Sequence, residues 1–531
     1  MPKIAKIIEF DEKARQKLLR GIEVVDRAVG STLGPRSRNV AVDDVPNYDI
    51  SPTVLHDGVS VARRINLPDP LEDMGARLVK GASLKTNEVA GDGTTTSTIL
   101  AHAIIAEAFK QIGSGANPMA LKREIEEASK RVIEGLTKIK KDVKSDAELE
   151  QIATISSADP DIGKMVAGAI KKVGEDGVVT VEEGNSSETT VDYKAGMEIE
   201  KGMLSPYFVT DSERVEAVVE DAYVLLTDRK LQYATDIVPF LEKFVRETKS
   251  KNLVIFAGEV IEEALATLVV NKLRDNLNVT AIQAPAYGGR RVDELDDIAV
   301  LTGGHPVFQD EGREIKDMDI SELGRAGKIV ASREKTVIVD GKGDKTAVDK
   351  RIEELKKQIE SSDTGFDRDV KEERLAKLSG GVAVINVGAN TEVELKEKKE
   401  RVIDAVSATE AANQEGIVAG GEVSLLYSSS GGQFNTAGGK ILGEALKAPF
   451  KRLMENSGFD YAETLQKLAG KEYPVVIDVM DGEVKDMIAS GIIYPLKVTK
   501  TALENAVSVA VMAIKTSCLI TDVVEKGGED A

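Results

Sequence analysis

The sequence predicts a multi-domain protein of α and α/β character. A mostly helical part is built from both ends of the chain, and an α/β module fills the middle. Three observations lead there. At 531 residues the chain exceeds what one hydrophobic core usually organises, and the length prior suggests roughly three to four domains. Apolar residues recur at the helical period near both ends. Between about residues 170 and 388, short apolar runs bounded by glycine alternate with helical segments, the pattern of a substantially parallel sheet.

The elements follow in order. Ala14, Leu18, Ile22, Val25 and Val29 make a helical stripe that Gly30 and Gly34 punctuate. A second stripe runs through Ile99, Leu100, Ala103, Ile104, Ala108 and Ile112. After a break at GSGANP (113–118) comes a charged helix through Ile125, Val132, Ile133 and Leu136. GVVTVEEG (177–184), TTVDYKAG (189–196), AYVLLT (222–227), NLVIFAG (252–258), VTAIQAP (279–285), KTVIVDG (335–341) and GGVAVINVG (380–388) are predicted strands. Val348, Ile352, Leu355 and Ile359, spaced 4, 3, 4, predict the first arm of a charged helical hairpin packed on its own domain. The helical texture returns after ELKEKKERVIDAVSATEAA. The flanks therefore resemble each other more than the middle, as an inserted middle module would require. SSSGGQF (428–434) reads as a loop.

Composition bounds the function. Hydrophobic residues at 42% and charged residues at 30% describe a globular chain. A net charge of −20 argues against nucleic acid or an anionic membrane as partner. Cys518 stands alone, which excludes an internal disulfide framework and fits a reducing compartment. With His56, His102 and His305 the only histidines, a zinc site is not expected. MPKIAKIIEF is interrupted by Lys6 and Glu9 before a signal-peptide core forms, and AVSVAVMAI (506–514) is too short to span a bilayer. The expectation is a soluble, cytoplasmic protein.

VAGDGTTTSTIL (89–100) is the stretch that points to chemistry. Five hydroxyl residues, Thr94 to Thr98, open a helix, where one would suffice as a cap. Two readings stand: an over-built N-cap, or an anion site in which Gly91 and Gly93 admit a ligand to the helix N-terminus. Asp92 would repel a bare phosphate, so the second reading brings Mg2+ with it. No Walker A motif occurs, nor a G-x-G-x-x-G following a strand.

GDGTTT (91–96), TLGP (32–35), DGVSVAR (57–63), EALATLVVN (263–271) and VAGGE (418–422), in this order, resemble a group I chaperonin, the bacterial-type large ring chaperonin. The likeness runs from about residue 10 to residue 524. It implies the chaperonin fold: an equatorial domain from 1–138 and 414–531, an intermediate domain from 139–195 and 382–413, and an apical domain from 196–381, with hinges near Gly196 and Gly380–Gly381. It further implies seven-membered rings stacked in pairs, a co-chaperonin lid, non-native protein clients, and ATP with Mg2+ as cofactors, K+ being an optional further cation.

By the same resemblance, Asp92 holds Mg2+ while Gly93, Thr94, Thr95 and Thr96 cradle phosphates. Thr32, Leu33, Gly34 and Pro35 form the second phosphate-side loop, and Gly420 and Gly421 lie near the nucleotide. Ile155 and Ser156 sit where the intermediate domain meets it. Asp404 matches the catalytic aspartate and Asp57 a second carboxylate supporting hydrolysis. Tyr207, Phe208, Val238, Leu241, Leu265, Val269 and Val270 match the apical client surface, although LATLVVN alone reads as half a buried helix.

Several positions depart from the family pattern. His56 replaces a lysine, and Glu422 a third glycine. Asp478, Val479 and Met480 replace asparagine and two alanines beside the nucleotide. Tyr494 stands where an aspartate contacts the sugar, and is expected to stack on the base or donate one bond there. The tail KGGEDA lacks glycine–methionine repeats. Two rivals remain at this level. The trio Asp57, Asp92 and Asp404 disfavours a holdase ring without turnover, and the lack of a second acid–base motif disfavours a metabolic phosphotransferase.

Overall fold

The structure, a computed structural model, describes residues 5–43, 53–143, 145–157, 159–174, 177–184, 186–212, 214–362, 365–429 and 434–522. The loop read at 428–434 falls mostly outside these residues, and the KGGEDA tail wholly so. The chain divides into two compact units, residues 1–167 with 400–531, and residues 168–399. The border at 167/168 and 399/400 lies outside the glycines at 196 and 380–381.

The terminal unit is helical. Its Asp11–Gly30, Pro70–Ala90, Thr94–Gly113, Pro118–Ile139 and Leu496–Lys515 helices contribute to one core. Ala14, Leu18, Ile22, Val25 and Val29 are all fully buried, so the first predicted stripe is the packed face of its helix. Local chemistry starts two of these helices. Asp69 accepts from Leu71 N and Glu72 N ahead of Pro70, and Asn117 accepts from Met119 N and Ala120 N ahead of Pro118. The Lys6–Phe10 strand pairs antiparallel with Cys518–Asp522, tying together the two ends of the described chain.

The middle unit carries a six-stranded sheet in the order Asn278–Gln283, Asn252–Ala257, Ala217–Leu226, Gly324–Ala331, Thr336–Gly341, Gly196–Ile199. Only the first three strands are parallel to one another; the remaining pairings are antiparallel. The expectation of a substantially parallel sheet is therefore corrected to a mixed one. The strand responsible is Gly324–Ala331, whose glycines and basic residues hide its alternation. The four residues 332–335 join it to Thr336–Gly341, and so short a connection can link only antiparallel neighbours. Phe208, Phe240, Phe244 and Phe256 anchor the core.

A three-stranded sheet in this unit places Val382–Val387 parallel to Val178–Glu183 and antiparallel to Thr190–Lys194. The charged helical hairpin, Lys345–Glu360 and Gly365–Gly380, packs on its own unit through Leu355 and Leu378. There Arg351 and Arg374 both bond the buried Asp297 at 2.7 Å. Among the described residues no helix is long and apolar enough to cross a membrane.

Candidate functional site

The Thr94–Gly113 helix starts without a side-chain cap. Gly91 (φ 68°) ends the preceding helix and Gly93 (φ 81°) begins this one, both in the left-handed region that glycine enters freely. Both also sit at close approaches. A Cβ on Gly91 would lie 2.1 Å from Ser407 Cβ, and one on Gly93 2.6 Å from Val498 Cγ1. The loop is thus pressed between the Glu392–Glu415 and Leu496–Lys515 helices, and the first of these carries Asp404.

The hydroxyls do not serve as caps. Thr95 Oγ1 lies 3.2 Å from Thr32 Oγ1, Thr96 Oγ1 donates to Glu422 Oε1 at 2.6 Å, and Thr98 Oγ1 donates to Thr94 O at 3.0 Å. Of the two readings of this stretch, the over-built cap is the one the structure removes. The helix N-terminus, with its partial positive charge, therefore has no side-chain cap.

Around this terminus the chain gathers the other predicted residues. Thr32 Oγ1 donates to Val29 O at 2.7 Å, and Asn456 Nδ2 holds the carbonyls of Gly30 and Leu33, both at 2.9 Å, so the Thr32–Pro35 loop is pinned. Asp57 caps the Gly58–Arg64 helix, accepting from Val59 N at 3.0 Å and Ser60 N at 2.8 Å. Its neighbour His56 is exposed.

Asp92 has both oxygens engaged. Oδ1 accepts from Gly93 N at 2.5 Å and Oδ2 from the Tyr494 hydroxyl at 2.7 Å. Tyr494 comes from the Ile493–Pro495 strand, paired through Val418 to the strand Ile417–Ala419, and its ring packs against Ala90, Ala411 and Val498. The single hydroxyl proton of Tyr494 is committed to Asp92, so the one bond expected of it goes to that carboxylate.

The electrostatics are those of carboxylates crowded together. Burial raises the Asp92 carboxyl above its ordinary range, the Tyr494 and Gly93 bonds hold it back, and Asp57 pushes it further up. Asp404 is raised well above that range by burial, then by Asp92, Asp57 and Glu400. Glu422 is raised to about 7 by burial, against the Thr96 bond and with a further push from Asp92. The charges acting on these three groups all come from other carboxylates. Each of the three keeps some accessible surface. Among the described residues no group of three or more acidic, histidine or cysteine side chains is gathered closely enough to hold a metal ion by itself, and the charges that act on Asp92 beside the helix terminus come from a carboxylate alone.

The remaining predicted residues divide. Gly420 and Gly421 (φ 69°) lead directly to Glu422. Asp478 accepts from Met480 N and from Lys485 Nζ in a turn, and Arg36 reaches that turn through Met480 O at 2.8 Å. Met480 is exposed, whereas the Val479 side chain packs with Phe450, Met454 and Val476. Val479 is corrected to a core residue, since a valine in that place fills the hydrophobic cluster instead of facing the pocket. Ile155 lines a cavity of about 340 Å³ with Glu150, Gln151, Thr154, Ser490 and Gly491, none of them Asp57, Asp92 or Asp404, and the Ser156 hydroxyl is buried without a partner.

In the middle unit the predicted client residues differ in exposure. Tyr207 is 62% and Val270 42% exposed, and Val238, Leu265 and Val269 are half-buried. Phe208 (0%) and Leu241 (5%) are corrected to core residues, because both belong to the cluster beneath the sheet's covering helices. Leu273, at i+4 and i+3 from Val269 and Val270, is 64% exposed and extends the same apolar face by one turn. Glu422 was seen only as a departure, since nothing in the sequence pairs it with Thr96.

Known proteins bear on this architecture. A family model described as the TCP-1/cpn60 chaperonin family matches residues 25–523. Two crystal structures of the chaperonin gp146 from the bacteriophage EL 2 (Pseudomonas aeruginosa), in presence of ATP-BeFx, are similar in fold. Crystal form II has a TM-score of 0.70 at 22% identity, covering 99% of this chain and 100% of that one. Crystal form I has a TM-score of 0.62 at 21% identity, covering 98% and 99%. Since the family model spans nearly all of the two units, the chain belongs to the TCP-1/cpn60 chaperonin family.

Proposed function

We propose that the protein is an ATP-driven ring chaperonin of the group I type, which captures non-native proteins on an apolar apical surface and folds them in a cavity closed by a co-chaperonin lid. The observation that carries this is the uncapped start of the Thr94–Gly113 helix with Asp92 beside it, inside a cluster of carboxylates. The similarity to a chaperonin crystallised in presence of ATP-BeFx supports the nucleotide. Thr32–Pro35, Gly93–Thr96 and Gly420–Gly421 would enclose the phosphates, and Asp92 would hold Mg2+, which when bound neutralises phosphate charge.

Asp404 is the group that takes a proton from the attacking water. Burial and neighbouring carboxylates raise its proton affinity, the direction a proton acceptor requires. Asp57, already fixed by two backbone N–H groups, supports it electrostatically. The domain partition at 138/139, 195/196, 381/382 and 413/414 makes Asp404 part of an intermediate segment, so its approach is coupled to domain movement. Tyr207, Val238, Leu265, Val269 and Val270 form the client face, with Phe208 and Leu241 supporting it from beneath. Single apolar contacts are weak, and a seven-membered ring multiplies them.

The test is phosphate release from Mg-ATP by the assembled cytoplasmic protein, with and without a co-chaperonin, alongside light scattering of the eluted particle. A monomer that releases no phosphate in either condition refutes the proposal.

A further inference from the structure

We infer that Tyr494 is a positioning residue for Asp92, fixing the rotation of its carboxylate so that the oxygen lone pairs left by protein donors face a divalent cation arriving with the nucleotide. The inference rests on the proposed nucleotide site and concerns a residue with no counterpart role in the resemblance, which has an aspartate at this position.

The geometry is specific. A carboxylate on a two-bond side chain can turn about its last torsion, and a rotated Asp92 would present its oxygens to the wrong side of the pocket. Here Gly93 N fixes Oδ1 at 2.5 Å and Tyr494 Oη fixes Oδ2 at 2.7 Å. Each oxygen keeps a further acceptor direction. The donor itself is held rigidly. Tyr494 is paired in a strand with Val418, and its ring is wedged among Ala90, Ala411 and Val498, so the hydroxyl cannot follow a turning carboxylate. Ala90 ends the Pro70–Ala90 helix two residues before Asp92, and Val498 meets Gly93. The Tyr494 ring and the Asp92 backbone are thus set by the same packing. An aspartate at 494 would have no proton to donate in its ionised form and would place a second negative charge against Asp92.

Calorimetric titration of ATP into the assembled protein, repeated over a series of Mg2+ concentrations and once in EDTA, tests this. Tyr494→Phe keeps the ring and removes only the hydroxyl. The Mg2+ concentration giving half-maximal ATP affinity should rise about tenfold, as expected for losing a bond to a charged group. Affinity in EDTA should be unchanged, so that the loss appears only in the metal-dependent part of binding. In an Asp92→Asn background, Tyr494→Phe should alter the Mg2+ requirement no further. An unaltered requirement in Tyr494→Phe overturns the inference, as does an equal loss with and without metal, which would make Tyr494 a wall of the pocket. If the phenylalanine variant fails to assemble, 4-aminophenylalanine at position 494 keeps a ring donor at the same reach and should stay within about threefold of the parent; a tenfold rise there also overturns it. Absence of ATP binding by the unsubstituted protein at every Mg2+ level would sink the functional proposal, and this inference with it.

Discussion

Thr96 Oγ1 donates a hydrogen bond to Glu422 Oε1 at 2.6 Å, joining the hydroxyl-rich helix start to the Gly420–Gly421 loop across 326 positions of sequence. Glu422 does this from a left-handed backbone conformation (φ 60°), which a glycine would adopt without strain and which typically costs a non-glycine residue about 1–2 kcal/mol. The same side chain buries a carboxylate among others. The position therefore sets one local bond against two local penalties.

Glu422→Gln should stabilise the protein at pH 8 and have little effect at pH 4.5. The folded-state value is raised from 4.5 to about 7, so the native protein binds the proton more tightly than the unfolded chain. Stability falls as pH rises from about 4.5 to 7, and the whole penalty is present above 7. It amounts to at most about 3 kcal/mol, less where solvent screens the partly exposed group. Urea denaturation of both forms at the two pH values measures it. An equal difference at both pH values would contradict the assignment.

Asp404→Ala should leave ATP affinity within a few-fold of the parent and lower turnover by about two to four orders of magnitude, the usual contribution of a positioned base. A single-turnover assay beside a binding titration separates the two effects. Parental turnover in the variant would remove Asp404 from the reaction.

Asp92→Ala should show the opposite balance. If its carboxylate holds the metal as proposed, Mg-ATP affinity should fall at least tenfold while affinity for metal-free ATP is kept or improved by loss of a repelling charge. Calorimetry with and without Mg2+ reads the difference. Equal affinities would place Asp92 outside the metal site.

Legibility in the sequence follows from where the determining interactions lie. The stripe from Ala14 to Val29 was readable because burial on one helix face imposes its period on a single segment. The strand Gly324–Ala331 was not, because its partners on both sides are supplied by distant pairing and its own residues include two glycines, an arginine and a lysine. In the pocket, GDGTTT announced itself by an excess of hydroxyls over what a cap requires. The bonds Tyr494–Asp92 and Thr96–Glu422 span 402 and 326 positions, and no local pattern encodes which donor meets which acceptor at that range. The correspondence of position 494 accordingly carried no sign that its hydroxyl meets Asp92 in the folded chain.

The apolar surface of the middle unit offers the sharpest contrast between binding and packing, because its members lie close in sequence and differ in exposure. Val270 on the Glu262–Leu273 helix is 42% exposed, and Leu241 on the Ala234–Thr248 helix is 5% exposed. A charge at Val270 displaces no core contact, so Val270→Glu should leave the thermal melt unchanged and abolish capture of a denatured client by the ring. Leu273→Glu should do the same. Leu241→Ala removes core atoms beside Phe240 and Phe244, and should destabilise the middle unit by roughly 2–5 kcal/mol while the exposed contacts persist in whatever fraction stays folded. Client capture measured at a temperature where each variant is fully folded separates the two effects. Val270→Glu should fail there and Leu241→Ala should succeed. Normal capture by the Val270 and Leu273 variants together would show that this helix face is not where clients bind.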